Sequence, residues 1–186
     1  MRIARWFAKW DEIRRANIQK LHAEIQGKIE IPVGEGTFTL SARADRIERL
    51  SDGKYVIVDY KTGRVPGHDE VKAGFAPQMT LESAILRKGG FPDIPVGGSV
   101  AALAYVAIKG GEPAGELRIV KLKDSSPDEE ADAALAKLAR NAKKFLIDGE
   151  PYKSLVSPQW KTHYGDYDHL ARVKEWSATG GGEDES

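Results

Sequence analysis

The chain of 186 residues is the size of one ordinary domain, and its 41% hydrophobic and 30% charged residues allow a sizeable core. Its 28 lysines and arginines balance 28 aspartates and glutamates, so no global field draws it to nucleic acid or anionic lipid, and any such binding must come from a local patch. It has no cysteine, which excludes disulfides, thiolate zinc sites and a cysteine nucleophile.

Residues 2–16 place Ile3, Trp6, Phe7, Trp10 and Ile13 three and four apart, which predicts a helix with an aromatic stripe and charges opposite. That stripe needs a partner, and Trp6, Phe7 and Trp10 are expected to pack on a sheet. From Leu21 the period falls to two: Leu21, Ala23, Ile25, Ile29 and Ile31 alternate with polar residues, a half-buried strand expected to end before Pro32. A GEG turn leads to a second strand over 37–50, with Phe38, Leu40, Ala42 and Ala44 on one face and Thr39, Ser41, Arg43 and Asp45 on the other. Residues 55–61 form a third strand, apolar on both faces at its start and therefore central.

After a loop containing Gly63, Pro66 and Gly67, the segment PQMTLESAILRKGG predicts a helix that starts at Pro77 and stops at Gly89, with Leu81, Ala84 and Ile85 inward. Residues 100–108 and 116–122 read as two strands joined around GGEPAG. Residues 128–148 read as a long amphipathic helix with Ala131, Leu135, Leu138, Ala142, Phe145 and Leu146 on one side and Gly149 as its stop. The order helix, three strands, helix, two strands, helix predicts a mixed α/β sheet covered by helices, not an alternating doubly wound fold.

The third strand ends in IVDYKTG, and charges at the end of so buried a strand need a reason. Asp59 and Lys61 project from one face while Tyr60 points away. The LSDGK loop decides what lies opposite. A two-residue Asp52-Gly53 loop would place Asp45 opposite Tyr60, on the other face from Asp59. A three-residue loop, with Gly53 in the left-handed region, places Asp45 opposite Asp59. In that second register two carboxylates lie about 5 Å apart beside one ammonium. Facing like charges are destabilising unless a cation sits between them. Magnesium suits the position, because it takes one or two carboxylates, keeps several waters and bridges to phosphate oxygens. Lys61 would hold the attacking water or balance charge growing in the transition state. An isolated acid-x-Lys is also ordinary turn chemistry, and the hairpin that brings a second acid to it raises it above that.

ARADRIE, VDYKTG and APQMTLESAIL, in that order, resemble the RecB-type nucleases of the PD-(D/E)XK superfamily, and most closely the C-terminal nuclease domain of AddB, a subunit of AddAB helicase-nucleases. The similarity runs over residues 5–176 and includes a closing GDYDHLARVKEW. The resemblance implies a restriction-endonuclease-like sheet flanked by helices. It implies Asp45 and Asp59 as metal ligands, the backbone carbonyl of Tyr60 as a third, Lys61 as the catalytic lysine and Gln78 as a helix residue lining the site. The metal would be Mg2+, with Mn2+ as a substitute. The implied activity is exonuclease hydrolysis of DNA strands unwound during double-strand-break repair and recombination. The implied partners are a DNA single strand and an AddA-type helicase subunit that delivers it. Residues 1–176 would be the nuclease domain, a C-terminal piece of a longer chain, and residues 177–186 a tail too polar and glycine-rich to pack.

The sequence departs from the pattern in three places. Relatives carry Gln-x-x-x-Tyr on the helix, but Glu82 stands four residues after Gln78, and it reads as an outward charge making i,i+4 contacts sooner than as a further acid. Nothing like the upstream HxxLE motif precedes Asp45, and His22 reads as a polar-face strand residue. The cysteines that hold an iron–sulfur cluster in some AddB proteins are absent, so that cofactor is not expected.

His68, with Asp69 and Glu70, reads as a turn leading into a helix cap, not as a metal cluster. His163 and His169 fall in a tyrosine-rich segment expected to pack over the core. Arg43, Arg46, Arg49, Lys54, Lys61, Arg64 and Lys72 are interleaved with acids, which reads as a solvated surface and predicts weak intrinsic DNA affinity. No glycine-rich phosphate loop is present, so ATP binding is not expected. No apolar run approaches the roughly 20 residues that span a bilayer, and MRIARWFAKWDEIRR lacks a signal peptide's apolar centre. The expectation is therefore a cytoplasmic protein that does not engage membranes. Two other readings compete: an inactive nuclease-fold module that guides DNA, and a solitary restriction-type endonuclease, which the zero net charge disfavours.

Overall fold

Alternating and helical apolar periods translate into nine regular elements among the described residues, which in this computed structural model are 2–122 and 124–151. In chain order they are α1 (Arg2–Arg15), β1 (Ile18–Val33), β2 (Gly36–Leu50), β3 (Tyr55–Lys61), α2 (His68–Ala73), α3 (Gln78–Arg87), β4 (Val100–Ile108), β5 (Gly115–Ile119) and α4 (Pro127–Ala142), with a wider π-type turn at Lys143–Ile147. The strands form one sheet in the order β1-β2-β3-β4-β5. Short turns make β1–β2, β2–β3 and β4–β5 antiparallel. Residues 62–99, which carry α2 and α3, are long enough to return β4 parallel to β3.

The central strand buries both faces, as its sequence predicts. Tyr55 and Ile57 join Leu103 and Tyr105 of β4 and Met79, Ile85 and Leu86 of α3 in the larger core. Val56 and Val58 join Ala104 and Val106 on the other face, where Trp6 and Trp10 of α1 cover them. The aromatic stripe therefore packs on the sheet, although Ile3 and Ile13 at its ends are exposed. Trp6 seats over Gly115 of β5, where a Cβ would overlap the indole ring. A third cluster, Ile31, Val33 and Ala142 with Leu135 and Leu138 packed against it, seats α4 on the β1–β2 hairpin.

Several boundaries differ from the sequence reading. β1 runs through Pro32, which pairs with Thr37; β1 is an edge strand, where an absent N–H need cost no ladder bond. β5 ends at Ile119 rather than at 122. The last helix is regular only to Ala142, and the wider turn that follows leaves Leu146 exposed instead of on the apolar side. A short α2, not counted in the predicted order, begins at the turn into a helix cap expected at residues 68–70, and Glu70 accepts the Gly67 N–H at its start at 2.7 Å. Leu81 is half-buried while Glu82 is inward, because α3 lies between the sheet and α4 and is buried on nearly every side. Residues 152–186, with GDYDHLARVKEW, His163, His169 and the tail, lie outside the described residues.

Candidate active site

The loop between β2 and β3 adopts the three-residue form. Leu50 donates its N–H to the Lys54 carbonyl at 2.8 Å, and Gly53 takes φ +84°, a left-handed value that glycine adopts without strain. Arg46 then pairs with Val58 and Ile47 with Ile57. This is the register that directs Asp45 toward Asp59. The ladder stops one rung short of them, and the Asp45 carboxylate instead accepts the Tyr60 N–H through Oδ2 at 3.0 Å.

The alternation of β2 also slips at Asp45. Leu40, Ala42, Ala44 and Ile47 all reach the larger core, so the inward residues change parity between positions 44 and 47. Across the sheet Glu24 takes φ +53° and has no rung, while its neighbours Ala23 and Ile25 pair with Arg46 and Ala44. Strict alternation, which put Asp45 on the face away from Ala44, does not hold past this point.

Asp59, Lys61 and Gln78 meet on the α3 side. The Lys61 ammonium lies 2.9 Å from Asp59 Oδ2 and donates to Oδ1 at 3.1 Å. Gln78 Nε2 donates to the same Oδ1 at 2.7 Å, and the Gln78 carbonyl oxygen accepts from Lys61 at 3.4 Å. Asp59 is 2% exposed, and its Oδ2 has the ammonium beside it without a hydrogen bond of good geometry. Burial pushes the Asp59 carboxyl above its ordinary range, the charge of Asp45 adds to the rise, and the bonds from Lys61 and Gln78 oppose it.

Glu82 overturns the expectation of an outward charge. It is 2% exposed and accepts from Gln78 Nε2 at 3.2 Å, so the amide forks between two acids. Burial, then the charges of Asp59 and Asp45, push its carboxyl up to about 7 against the opposing Gln78 bond. The i,i+4 spacing from Gln78 carried the signal, but only the packing of α3 on the sheet, with Asp59 and Asp45 nearby, makes that face an interior one. Tyr105 was also missed: parallel pairing sets it beside Asp59, a relationship made by the crossover and invisible locally. Its phenol is pushed up to about 12 by burial and then by the charges of Asp59, Glu82 and Glu70.

Other flagged residues stand elsewhere. His22 pairs with Ile47 on β1, and its charged neighbours are Lys20 and Asp93, not the site acids. His68 Nδ1 accepts the Lys121 N–H at 2.9 Å. Arg43 pairs with Glu24 at 2.6 Å, Arg64 with Glu70 at 2.7 Å and Lys72 with Asp124 at 4.0 Å, a mixed surface of the kind the sequence indicates; Arg46, expected on that surface, is instead buried under α1 against Asp11 and Trp10.

Set against known proteins, residues 1–159 match the profile of the PD-(D/E)XK nuclease superfamily. An uncharacterized protein of Rickettsia bellii (strain RML369-C) is 28% identical over 176 residues, which is 90% of this chain and 21% of that one. An uncharacterized protein of Rickettsia felis is 33% identical over 85 residues, 46% of this chain and 10% of that one. The chain thus spans about a fifth or less of the length of these relatives. A crystal structure of SSO0001 superposes with a TM-score of 0.48 at 14% identity, covering 90% of this chain and 67% of that one.

Proposed function

This chain belongs to the PD-(D/E)XK nuclease superfamily, and from that membership and the site geometry we propose that it is a magnesium-dependent exonuclease module acting on DNA. The observation that carries the reading is the contact of Lys61 with Asp59, with Gln78 bridging both and Asp45 tied to the same strand end.

The donor set fits a hard divalent cation. Asp59 Oδ2 is a buried acceptor that the Lys61 ammonium approaches to 2.9 Å without a hydrogen bond of good geometry, and Asp45 takes the Tyr60 N–H through one oxygen only among the described residues. The N–H and C=O of an extended residue leave by the same strand edge, so the Tyr60 carbonyl faces the Asp45 side too. Among the described residues no three acidic or imidazole groups gather into a closed metal cage. Two carboxylates and a carbonyl suit Mg2+, which keeps several waters and takes phosphate oxygens. When bound, the ion supplies a Lewis acid for a phosphate oxygen and lowers the pKa of a water.

The protein's own groups do the rest. Asp45 and Asp59 hold the ion. Lys61 orients the attacking water and offsets negative charge on the phosphorus oxygens. Gln78 fixes Asp59 and Lys61 at once by donating to one and accepting from the other. The water gives up a proton to solvent as its oxygen forms the new bond to phosphorus and the bond to the leaving sugar oxygen breaks. That leaving oxygen takes up a proton from solvent, so the two proton transfers balance.

The wider setting is an AddAB-type helicase-nuclease working in the cytoplasm on broken DNA. The order of the three motifs and the closing segment support it, as does a span of only a fifth of the Rickettsia bellii relative. An AddA-type motor would deliver the unwound strand, so the module itself need not bind DNA tightly. No helix among the described residues is long and apolar enough to cross a membrane.

The test is digestion of a labelled single strand by this chain and by the full-length pair, with Mg2+ or Mn2+ and with EDTA. Wild type should digest only with metal, and Asp59→Ala and Lys61→Ala should each lose at least about 10²-fold. Equal activity in all three proteins would refute the reading.

A further inference from the structure

The residue after each acid points to the opposite face of the sheet, and α1 grips both. Arg46 follows Asp45. Its Nη1 reaches Asp11 Oδ1 of α1 at 2.6 Å and the Tyr60 hydroxyl at 3.4 Å, and its Nε donates to Glu48 at 2.7 Å. The Arg46 guanidinium lies 5.0 Å from the Trp10 ring centroid. Tyr60 follows Asp59. Its ring packs at 5.7 Å from Phe7, and its N–H is the one that Asp45 accepts. Arg14 of α1 closes the network with two 2.8 Å contacts to Glu48.

Stability alone does not explain such a cluster. The side chains of Arg46 and Glu48 are 5% and 0% exposed, and buried ion pairs seldom stabilise more than apolar residues of similar volume. What a buried hydrogen-bonded network supplies, here with Arg46 Nη2 left without a hydrogen bond, is a fixed geometry. Here that geometry governs the peptide units on both sides of Tyr60, which aim Asp59 and Lys61 on the far face and carry the Tyr60 carbonyl.

We propose that Arg46 and Tyr60 are positioning residues that set the placement of Asp45, Asp59 and Lys61 from behind the sheet, with α1 as their support. The proposal rests on the nuclease reading of the site. Neither side chain touches the substrate. Loosening either one lets the acids and the lysine drift, and a displacement near 1 Å is enough to cost about 10²-fold in rate.

The experiment compares wild type, Arg46→Met, Arg46→Lys, Tyr60→Leu and Asp11→Asn in the 186-residue chain. Near-UV circular dichroism reports the fold, Mn2+ affinity is read by electron paramagnetic resonance, and single-turnover cleavage is measured alongside affinity for a single-stranded oligonucleotide. Arg46→Met and Tyr60→Leu should keep oligonucleotide affinity within about 3-fold, bind Mn2+ about 10-fold more weakly and cleave about 10²-fold more slowly. Arg46→Lys should recover part of the loss, since an ammonium restores the charge but not the planar fork. Asp11→Asn is isosteric and leaves no cavity, so it should keep the fold and read the effect even where a core variant unfolds; it should slow cleavage about 3- to 10-fold.

Wild-type Mn2+ affinity and cleavage in Asp11→Asn and in every other variant that folds would overturn the positioning role. Failure of wild type to bind Mn2+, or equal Mn2+ binding by an Asp59→Ala control run alongside, would instead bring down the nuclease reading, and this proposal with it.

Discussion

Asp45 accepts the backbone N–H of Tyr60 at 3.0 Å, so the first acid is tied to the strand that carries the second. A side chain has taken the place of a ladder bond at the end of the β2–β3 pairing, and the two strands part there with their acids beside each other. That opening is what the parity slip at Asp45 and the positive φ of Glu24 accommodate.

Gln78 is the hinge of the acid cluster. Its side chain is exposed, yet its amide touches Asp59, Glu82 and Lys61. Gln78→Ala should cost about 1 kcal/mol, because two buried carboxylates lose a donor, while lowering kcat by about 10- to 10²-fold, through misplaced Asp59 and Lys61. Urea unfolding and steady-state cleavage check the two halves; lost stability with an unchanged kcat would make Gln78 a folding residue.

Glu82 makes stability depend on pH. Its carboxyl ionises near 4.5 when unfolded and near 7 in the fold, so folding favours the neutral form. The contribution is whole below pH 4.5 and is lost as pH rises through 7, by an amount on the order of 3 kcal/mol. Glu82→Gln should therefore match wild type near pH 4 and exceed it by about that amount at pH 8. Urea titrations at both pH values in EDTA measure the difference, and a variant no more stable than wild type at pH 8 would contradict it.

Gly115 leaves the seat in which the Trp6 ring lies. Gly115→Ala should push α1 from β5 and cost about 1–3 kcal/mol, the usual range for overpacking. Thermal unfolding followed by tryptophan fluorescence tests this, and an unchanged transition would show that Trp6 is free to move.

Much of this was legible in the sequence where one local period governs a segment. The limits of β3 and β4 and the aromatic face of α1 follow from short-range pattern, whereas LSDGK admits two loops and the structure selects the three-residue form. Once Gly53 sets the register, the convergence of Asp45 with Asp59 follows from counting along two strands. Glu82 and Tyr105 were not legible in this way: the packing of α3 on the sheet buries one, and a parallel crossover brings in the other. Their chemistry depends on neighbours far away in the chain. The slip at Asp45 likewise arises from Glu24 on another strand, and nothing in ARADRIE marks it.

The central claim is that the carboxylates of Asp45 and Asp59 hold one divalent ion beside Lys61. Anomalous diffraction from crystals grown with Mn2+ tests it most directly. The account predicts one strong peak within coordination distance of both carboxylates, roughly 2.0–2.3 Å, that disappears in Asp59→Ala. A peak elsewhere, or the same peak in Asp59→Ala, would contradict it.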